Sequence, residues 1–594
     1  MNQPIPYGER LDDIPFIIVL AKKLKIDQII QEYVGTHKRQ EGLQNGQLAI
    51  VWLAYILSMS DHSKVGLEEW ASRRTLLIGA LLGQKVTSRD FCDNRLARFL
   101  ARLSQDLAWE KVEASLWAAA FEVHELPIDK VRLDATTCAG YHEVIENGLM
   151  QLGHSKQHRP DLPQLKIMAG AVEGFGHIIA ADVVSGEKAD DPLYTPLIRR
   201  IRGIIRKTGL LYTGDCKMAG MSTRAELVQY HDLYLVPLPL TGTVPDELES
   251  WIMAAENGAK QLAIITDGTV DNPTEIAKGY ELEREICSKT LKWKERVLVV
   301  RSKSFAEAKN TALEEKLKKA QQEIKLLTPI PAKGKRPVRD EAKLQEVLKA
   351  YENKNSIKGL LKIAWERVEI STTKYKGRGR GSANRERVTK TTIHYVITDV
   401  IRNEEAISKE KYRHGWRAFV TNAPQKSLSL QQAVLHYRNG YKSIERQFDL
   451  LRNRPLGLSP LYVRKDDQLL GLTRFLTIAL RLMTLVEIVV QSALKHRKSR
   501  LQGLLRGQSH RSTSTPTGQS ILAGLARAEI NLYVISLGNQ KHVHCDTERL
   551  PGYMKAVLEF MDIPQTIYEA SLYAEFIKKN CRVVEIGDLH PKKP

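Results

Sequence analysis

Three acidic residues, far apart in the chain, have types and surroundings that could support chemistry. Asp134 follows a strand-like run in the segment LDATT, and Asp215 follows a short apolar run in YTGD. Glu445 stands in a helix-like segment at the edge of an apolar stripe. Three carboxylates at one point would repel one another by about 4 kcal/mol per charged pair at about 4 Å. Divalent cations such as Mg²⁺ remove that repulsion, so a converging trio predicts a metal site.

Two of the carboxylates also have an ordinary interpretation. Asp134 could be a solvent-facing strand residue, and Glu445 could be a boundary glutamate that reaches water. Asp449, on the same helix, is the nearest rival to Glu445. The predicted strands and helix that carry these residues favour one interpretation or the other.

The region after residue 128 changes to a period of two, which predicts β-strands. The runs KVRLDATTCAG, LKIMAGAVEG and GHIIAADVVSG predict a three-stranded meander with a tight turn at 173–176. A helix at 191–209, a strand ending on Asp215, a second helix and a last strand follow. The predicted order is βββαβαβ, with Asp134 and Asp215 each at the end of a strand.

The segment 429–452 predicts the helix that carries Glu445. Ser429 and Gln432 fit a capping box at its start. Apolar residues then recur at intervals of three and four and form one stripe. At about 100° per residue, Glu445 lies within about 60° of Phe448, which belongs to the stripe.

The remaining segments predict the domain arrangement. Residues 1–125 have helical periodicity, and 245–425 combine helices with a long hairpin whose tip is rich in Gly and Arg. The apolar stretch 469–490 contains three charged residues, which are costly in a bilayer, and predicts a buried helix. The basic stretch 496–520, rich in Ser, Thr and Gly, predicts a mobile linker or loop.

The composition limits the class of protein. The 594 residues are 43% hydrophobic, which suffices for a packed core and argues against global disorder. The net charge of +20 favours a polyanionic partner, nucleic acid before an anionic membrane, although a basic soluble enzyme remains the alternative.

The cysteines and the N-terminus bear on the compartment. Six cysteines without a CxxC pair argue against a disulfide framework or a zinc ribbon, and HVHC at 542–545 matches no standard metal-ligand spacing. The N-terminal segment has no signal-peptide pattern, so the expected location is the cytoplasm.

Six motifs carry a resemblance to a known family. In chain order they are LDATT, GHSKQHRPDLPQLKIMAGAV, GEKADD, YTGDCKMAG, GWRAFVTNAP and YRNGYKSIERQFDLLRNRPLGLSPLYVRKDDQLLGLTRFL. Each motif is weak alone, but together and in this order they are specific. The chain resembles the DDE transposases of bacterial insertion sequences, in the IS-four superfamily, and more closely its sixteen-thirty-four-like branch. The resemblance covers nearly the whole chain.

The resemblance implies an α/β fold with a ribonuclease H-like catalytic core, in which a mixed sheet is flanked by helices. That fold sets the first and fourth strands side by side and packs a later helix across them. An α+β insertion interrupts the core, and an all-α domain precedes it. The expected domains are a helical N-terminal DNA-binding domain (1–125), the first part of the core (126–244), the insertion (245–425), the second part of the core (426–495), and a basic linker with a C-terminal tail (496–594).

By the same resemblance, Asp134 and Asp215 are the two catalytic aspartates and Glu445 is the catalytic glutamate. The implied cofactor is a pair of Mg²⁺ ions held by these three residues, and Mn²⁺ can substitute. Two such ions can activate an attacking oxygen and stabilise a leaving oxygen at phosphorus.

Residues around the acids are candidates for DNA contacts. The family's helix signature is Tyr, two residues, Arg, three residues, Glu, six residues, Lys. Counted from Glu445, the signature positions hold Arg438, Tyr441 and Arg452, so Tyr437 stands one residue early and Arg452 replaces the lysine. Either Arg438 or Lys442 could take the part of the arginine. Ordinary exposed cations are the alternative. The candidates are His154, Lys156, Arg159, Lys217, Tyr437, Arg438, Tyr441, Lys442 and Arg452.

The function implied by the resemblance is DNA transposition. The protein is expected to bind terminal inverted repeats, to cleave DNA, and to join the freed 3′-OH to target DNA as a homodimer in a synaptic complex. The expected place is the bacterial cytoplasm, at the nucleoid, with no membrane partner. Two alternatives stay open, a ribonuclease H-like endonuclease without strand transfer and a catalytically inactive DNA-binding relative.

Overall fold

The chain folds into two compact units. The computed structural model describes residues 7–124, 128–156, 158–269, 272–288, 291–328, 338–377, 384, 386–459, 461–537, 540–545 and 550–580. Unit 1 contains the chain up to Val236, the stretch Cys287–Trp293 and everything described from His436 onward. Unit 2 contains Pro237–Ile286 and Lys294–Leu435.

The N-terminal part of unit 1 consists of helices and one short strand. The elements are β1 (Tyr7–Arg10), α1 (Ile14–Lys23), α2 (Ile26–Tyr33), α3 (Asn45–Met59), α4 (Lys64–Ser72), α5 (Thr75–Leu82), α6 (Asp93–Leu103) and α7 (Asp106–His124). Trp52 in α3 and Phe99 in α6 are fully buried, with ring centroids 6.1 Å apart. The helical periodicity is confirmed, whereas β1 departs from the expected all-α region.

A mixed sheet forms the centre of unit 1. Its elements follow the predicted order βββαβαβ: β2 (Lys130–Ala139), β3 (Gln164–Val172), β4 (Ile178–Ser185), α8 (Tyr194–Ile205), β5 (Leu211–Thr213), α9 (Met221–Gln229) and β6 (Leu233–Pro237). The strands lie in the order β4-β3-β2-β5-β6. The first three are antiparallel, while β5 is parallel to β2 and β6 is parallel to β5. Every residue of β3 is buried, as expected for a strand covered on both faces.

Unit 2 combines a second group of strands with its own helical core. Its elements are α10 (Val244–Glu256), β7 (Ala263–Thr269), β8 (Asn272–Cys287), β9 (Lys292–Ser302), α11 (Lys303–Lys325), α12 (Glu341–Asn355), β10 (Leu361–Tyr375), β11 (Arg387–Arg402), α13 (Glu404–Arg413) and β12 (Trp416–Thr421). Strands β12-β9-β8-β7 are neighbours in that order. The predicted hairpin is confirmed as β10 and β11, which pair antiparallel; of its tip glycines, Gly377 is described, and Gly379 and Gly381 lie outside the described residues.

The last part of the chain returns to unit 1. Its elements are α14 (Leu430–Arg452, whose first turns belong to unit 2), α15 (Asp466–His496), β13 (Leu501–Gln502), β14 (Ser512–Thr513), α16 (Gly518–Leu525), β15 (Asn531–Leu537), β16 (Gln540–Cys545), α17 (Gly552–Phe560) and α18 (Ala570–Asn580). Strand β15 pairs with both β1 and β16. This pairing explains β1, because its partner is more than 500 residues away and leaves no local signal.

Helix α15 is long and apolar enough to cross a membrane by length and composition, but 94% of its most apolar window is buried inside the protein. The predicted buried helix is confirmed. Its charges are paired: Arg481 bonds to the fully buried Glu113, and Arg474 bonds to Asp106. Paired charges of this kind are tolerated in a protein interior.

The basic stretch 496–520 consists mostly of loop and turn, which was one of the two expected alternatives, and two leucines anchor it to the protein. Strands β13 and β14 pair within it, and Leu501 and Leu504 are 3% and 1% exposed. The sequence gives little sign that these two leucines are buried, because most residues around them are basic residues, Ser, Thr or Gly. Lys498 and Arg506 remain exposed.

Candidate active site

Asp134 and Asp215 come from neighbouring strands. Strand β2 pairs in parallel with β5 only at residues 130–132, which lie beside Leu211–Thr213. Asp134 and Asp215 both lie two residues beyond that pairing, at the same edge. Asp134 is in the middle of β2 and not at its end, because the ladder with β3 continues to Ala139. The prediction of a strand end was wrong for Asp134, since the polar residues after it remain in the sheet.

Helix α14 presents Glu445 at the boundary of its buried face, as predicted. Ser429 and Gln432 make the reciprocal capping bonds at its start, with distances of 2.9 and 3.2 Å. Ile444 and Phe448 are buried, while Glu445 is exposed between them. The carboxylate therefore stays beside the apolar face without entering it.

The three predicted carboxylates line one open cavity of about 700 Å³ within unit 1. Asp134 comes from β2, Asp215 from the segment after β5, and Glu445 from α14. Asp449, the rival of Glu445, lines the same cavity. The other lining residues are Arg132, Leu133, Ala135, Thr136, Lys156, Gly214, Tyr437, Ile444, Arg446, Phe448 and Arg452.

The environment of Asp134 disfavours its charge. Burial raises the pKa of Asp134 to about 6, and the charges of Asp215 and Glu445 add to the rise. Lys156 and the N–H group of Ala135 act in the opposite direction. The influence of the two other acids on Asp134 reflects their convergence on the cavity.

Asp215 is held by two donors. The hydroxyl of Tyr194 donates to its Oδ1 at 2.6 Å, and the N–H group of Lys217 donates to the same oxygen at 2.9 Å. Burial, followed by the charge of Asp215, raises the pKa of Tyr194 well above its ordinary value, so the phenol remains a donor. These bonds orient the carboxylate and cap the short 3₁₀ helix Cys216–Ala219.

Three of the nine predicted DNA contacts line the cavity, and they are Lys156, Tyr437 and Arg452. Four others are exposed but do not line it: His154, Arg159, Lys217 and Arg438. The side chains of Tyr441 and Lys442 lie outside the described residues.

Two of the exposed candidates have acidic partners. Arg159 donates through Nε and a terminal nitrogen to Asp161, at 2.9 and 2.8 Å. The ammonium of Lys217 lies 3.8 Å from Asp191. Such surface pairs contribute little energy, so the cations remain accessible to phosphate.

Sequence reasoning missed two arginines of the cavity. Arg132 is 3% exposed and lies within the strand two residues before Asp134. Arg446 makes two parallel bonds to Glu487, at 2.6 and 2.7 Å. A cation inside the apolar run of β2 was the available signal for Arg132, whereas the partner of Arg446 lies on another helix and leaves no local pattern.

The chemistry of the three carboxylates fits a divalent cation, because Mg²⁺ and Mn²⁺ prefer hard oxygen ligands. The ammonium of Lys156 lies 3.5 Å from Oδ1 of Asp134 and donates to the carbonyl of Ala135, so it partly balances the acids. Across the described ranges, no three His, Cys, Asp or Glu side chains are grouped closely enough to hold one ion. A divalent ion shared by Asp134, Asp215 and Glu445 would need their carboxylate oxygens to come closer together than they lie here.

The HVHC segment does not form such a site. His542 and His544 are exposed on one face of β16, and Cys545 is buried. The ring of His544 stacks on Tyr533 with centroids 6.4 Å apart. The alternation of side chains along a strand keeps the thiol away from the two imidazoles.

We expect Asp134→Asn to stabilise the folded protein at pH 7.5 without divalent ions. The folded-state pKa of about 6 exceeds the ordinary value of 3.8, so the ionised carboxylate destabilises the folded state above about pH 6. A shift of this size corresponds to at most about 3 kcal/mol. The gain should shrink as the pH falls from about 6 towards 3.8, because the wild-type carboxyl then becomes protonated.

Urea unfolding at a series of pH values measures this gain. The control is Asp161→Asn, which removes an exposed acid outside the cavity. Equal or lower stability of Asp134→Asn at pH 7.5 would contradict the destabilising role of the charge.

No family model matches the sequence, and no curated protein matches it. One similar solved structure is titled "Cryo-EM structure of piggyBac transposase synaptic complex with hairpin DNA". It shares 9% sequence identity with a TM-score of 0.37, over 98% of this chain and 89% of that chain. At this level of similarity, the function has to be argued from the chain's own residues.

Proposed function

We propose that this protein is a metal-dependent DNA transposase with a ribonuclease H-like core, of the kind implied by its resemblance to the IS-four superfamily. The observation that carries the proposal is the convergence of Asp134, Asp215 and Glu445 on one cavity. The strand order β4-β3-β2-β5-β6 supports it, because β2 and β5, the first and fourth strands of the sheet in chain order, lie side by side.

Asp134, Asp215 and Glu445 would hold two Mg²⁺ ions, which Mn²⁺ can replace. When bound, the ions supply the positive charge that activates an attacking oxygen and stabilises a leaving one. Lys156 and Arg452 lie on the cavity wall, where they can bind phosphate oxygens and orient the scissile bond. The hydroxyl of Tyr194 donates to Asp215 and would keep that carboxylate in place during DNA cleavage and strand transfer.

The proposed reaction has two in-line displacements at phosphorus. Water first breaks a phosphodiester at the end of the insertion sequence and frees a 3′-OH. That hydroxyl then attacks a phosphodiester of the target DNA, which forms one bond and breaks another without an external energy source. The substrates are terminal inverted repeats and target DNA, bound by a homodimer at the bacterial nucleoid.

The net charge of +20 supports a DNA partner. Exposed cations lie outside the cavity as well, at Arg438 and in the basic stretch that contains Lys498 and Arg506. Such positions suit contacts with the backbone of DNA, which position a duplex without reading its sequence.

The test uses the DNA that flanks the coding sequence of this chain. Labelled fragments from both flanks are incubated with the full chain, Mg²⁺ and a plasmid target, and the products are sequenced. The proposal expects cleavage at inverted repeats and joining of the freed 3′ ends to the plasmid. Cleavage without joining, even from a pre-nicked end, would identify an endonuclease, and binding without cleavage would identify an inactive relative.

We expect Lys156→Met to tighten Mn²⁺ binding in the absence of DNA and to slow DNA cleavage. The ammonium lies 3.5 Å from Asp134 and opposes a second cation there. An interaction of about 1–4 kcal/mol corresponds to at least a roughly fivefold gain in affinity. Calorimetric titration with Mn²⁺ measures it, with Lys207→Met as the control, because the Lys207 ammonium pairs with Asp129 outside the cavity. An unchanged Mn²⁺ affinity would show that Lys156 does not compete for the site.

A further inference from the structure

The turn between β3 and β4, residues 173–176, lies directly against one face of α14. A Cβ atom added at Gly440 would lie 1.3 Å from Oε1 of Glu173. A Cβ atom added at Gly176 would lie 2.5 Å from Nε2 of Gln447. Both distances are below 3.0 Å, and real Cβ atoms essentially never lie that close to another heavy atom. The turn and the helix therefore meet at two points where an added side chain would displace the Glu173 carboxylate or the Gln447 amide from its present position.

Buried polar side chains join the same two elements. We call Arg132, Glu173, Thr213 and His436 the Glu173 cluster. The Arg132 guanidinium donates to Oε1 of Glu173 at 3.0 Å. Nε2 of His436 lies 2.9 Å from Oε2 of Glu173 and 3.0 Å from the hydroxyl of Thr213. The side chains of Arg132, Glu173 and His436 are 3%, 4% and 7% exposed.

Arg132 also holds the backbone of the helix. The same guanidinium nitrogen donates to the carbonyls of His436 and Tyr437, each at 3.4 Å. The guanidinium lies over the ring of Tyr437, 5.3 Å from its centroid. Arg132 is two residues before Asp134 on β2, so one strand carries both a predicted metal ligand and the arginine that binds the helix.

The contacts with the turn lie on the opposite side of α14 from Glu445. At about 100° per residue, His436, Gly440 and Gln447 fall within one face, and Glu445 is about 140–180° away from each of them. Glu445 lines the cavity, in agreement with this geometry. Contacts at the glycines and directional hydrogen bonds hold the face of α14 that lies against the turn. They fix the rotation of the helix about its axis, and therefore the direction in which Glu445 points on the opposite face.

We propose that the Glu173 cluster and Gly440 are positioning elements that aim Glu445 at Asp134 and Asp215. Buried ion pairs often add little to stability because desolvation offsets their attraction, so their value here is orientation. The inference deepens the proposed function, on which it rests, by assigning residues that act through the position of Glu445.

The main test is Gly440→Ala. The added methyl group would displace the Glu173 carboxylate from Arg132 and so disturb the guanidinium that binds the helix carbonyls. We expect DNA binding within about twofold of wild type and cleavage about 100-fold slower, the loss expected when a catalytic group moves by about 1 Å. The matched control is Gly203→Ala in α8, where an added Cβ has no neighbour within 4 Å. Wild-type cleavage by Gly440→Ala would overturn the proposal.

A second variant guards against simple misfolding. Glu173→Gln keeps the size of the side chain and removes its charge, so cleavage should fall by much more than DNA affinity does. The unfolding temperature should also fall, because Arg132 stays buried without its counter-charge. The double variant should lose less than the product of the two single losses, because both substitutions disturb one contact. A fall in DNA affinity as large, in fold-change, as the fall in cleavage rate would show that the Glu173 cluster has only a structural role.

A third measurement does not depend on catalysis. Mn²⁺ affinity, followed by electron paramagnetic resonance without DNA, should fall in Gly440→Ala and stay unchanged in Gly203→Ala. If the wild-type chain binds Mn²⁺ but cuts no DNA, the proposed function fails while this comparison still tests the positioning. An equal Mn²⁺ affinity in wild type and Gly440→Ala would overturn the positioning role, and no Mn²⁺ binding by wild type would overturn both proposals.

Discussion

Asp215→Asn should abolish DNA cleavage while leaving DNA-end binding nearly intact. The amide keeps an oxygen that can accept from the Tyr194 hydroxyl and the Lys217 N–H group, so the local fold should persist. It removes one negative charge from the proposed metal-binding trio. Metal-based stabilisation of the transition state is worth several kcal/mol, so the expected loss in rate is on the order of 10³-fold or more.

Single-turnover cleavage and gel-shift binding on the same DNA end measure the two effects separately. Asp562→Asn is the matched control, since it removes an exposed acid that pairs with Lys23 outside the cavity. Loss of binding together with cleavage would make Asp215 a structural residue.

The same assay separates Glu445 from its rival. Glu445→Gln should be as inactive as Asp215→Asn, and Asp449→Asn should retain most of the activity. Both carboxylates line the cavity, but Glu445 is among the charges that raise the pKa of Asp134. The reverse result would transfer the catalytic assignment to Asp449.

The affinity for DNA should fall steeply as the salt concentration rises. The chain carries 89 Lys and Arg against 69 Asp and Glu, and neutralising phosphates releases counterions from the DNA. For about 6–10 phosphate contacts, the affinity should drop by about 10³–10⁵ between roughly 50 and 200 mM salt. Fluorescence anisotropy with a labelled duplex measures the slope, and a flat response would remove the charge argument for a DNA partner.

Single substitutions can show which cations contribute. Each lost phosphate contact should lower the magnitude of the slope by about 1, so Arg452→Gln and Arg438→Gln should each have that effect. Arg73 is a matched control, because it is exposed and pairs with Glu69 of α4, away from the cavity. A slope unchanged in Arg452→Gln would place the phosphate elsewhere.

Periodicity was sufficient to predict local elements and poor at finding their ends. The βββαβαβ order, the capping box at Ser429 and the hairpin of β10 and β11 are confirmed because each depends on neighbouring residues. Asp134 was placed at a strand end because polar residues follow it. Those residues stay in the ladder with β3, and the partner strand, not the local composition, decides where β2 ends.

The sequence by itself determined which residues could do chemistry, because side-chain type and helical or strand period are local properties. It indicated Asp134, Asp215 and Glu445 as candidates. Only the tertiary structure decided that these three line one cavity, that Lys156 lies beside Asp134, and that Arg132 and Glu173 hold the back of α14. Those relations join segments up to about 300 residues apart, and a contact between distant segments depends on packing in three dimensions, which no short window of sequence records.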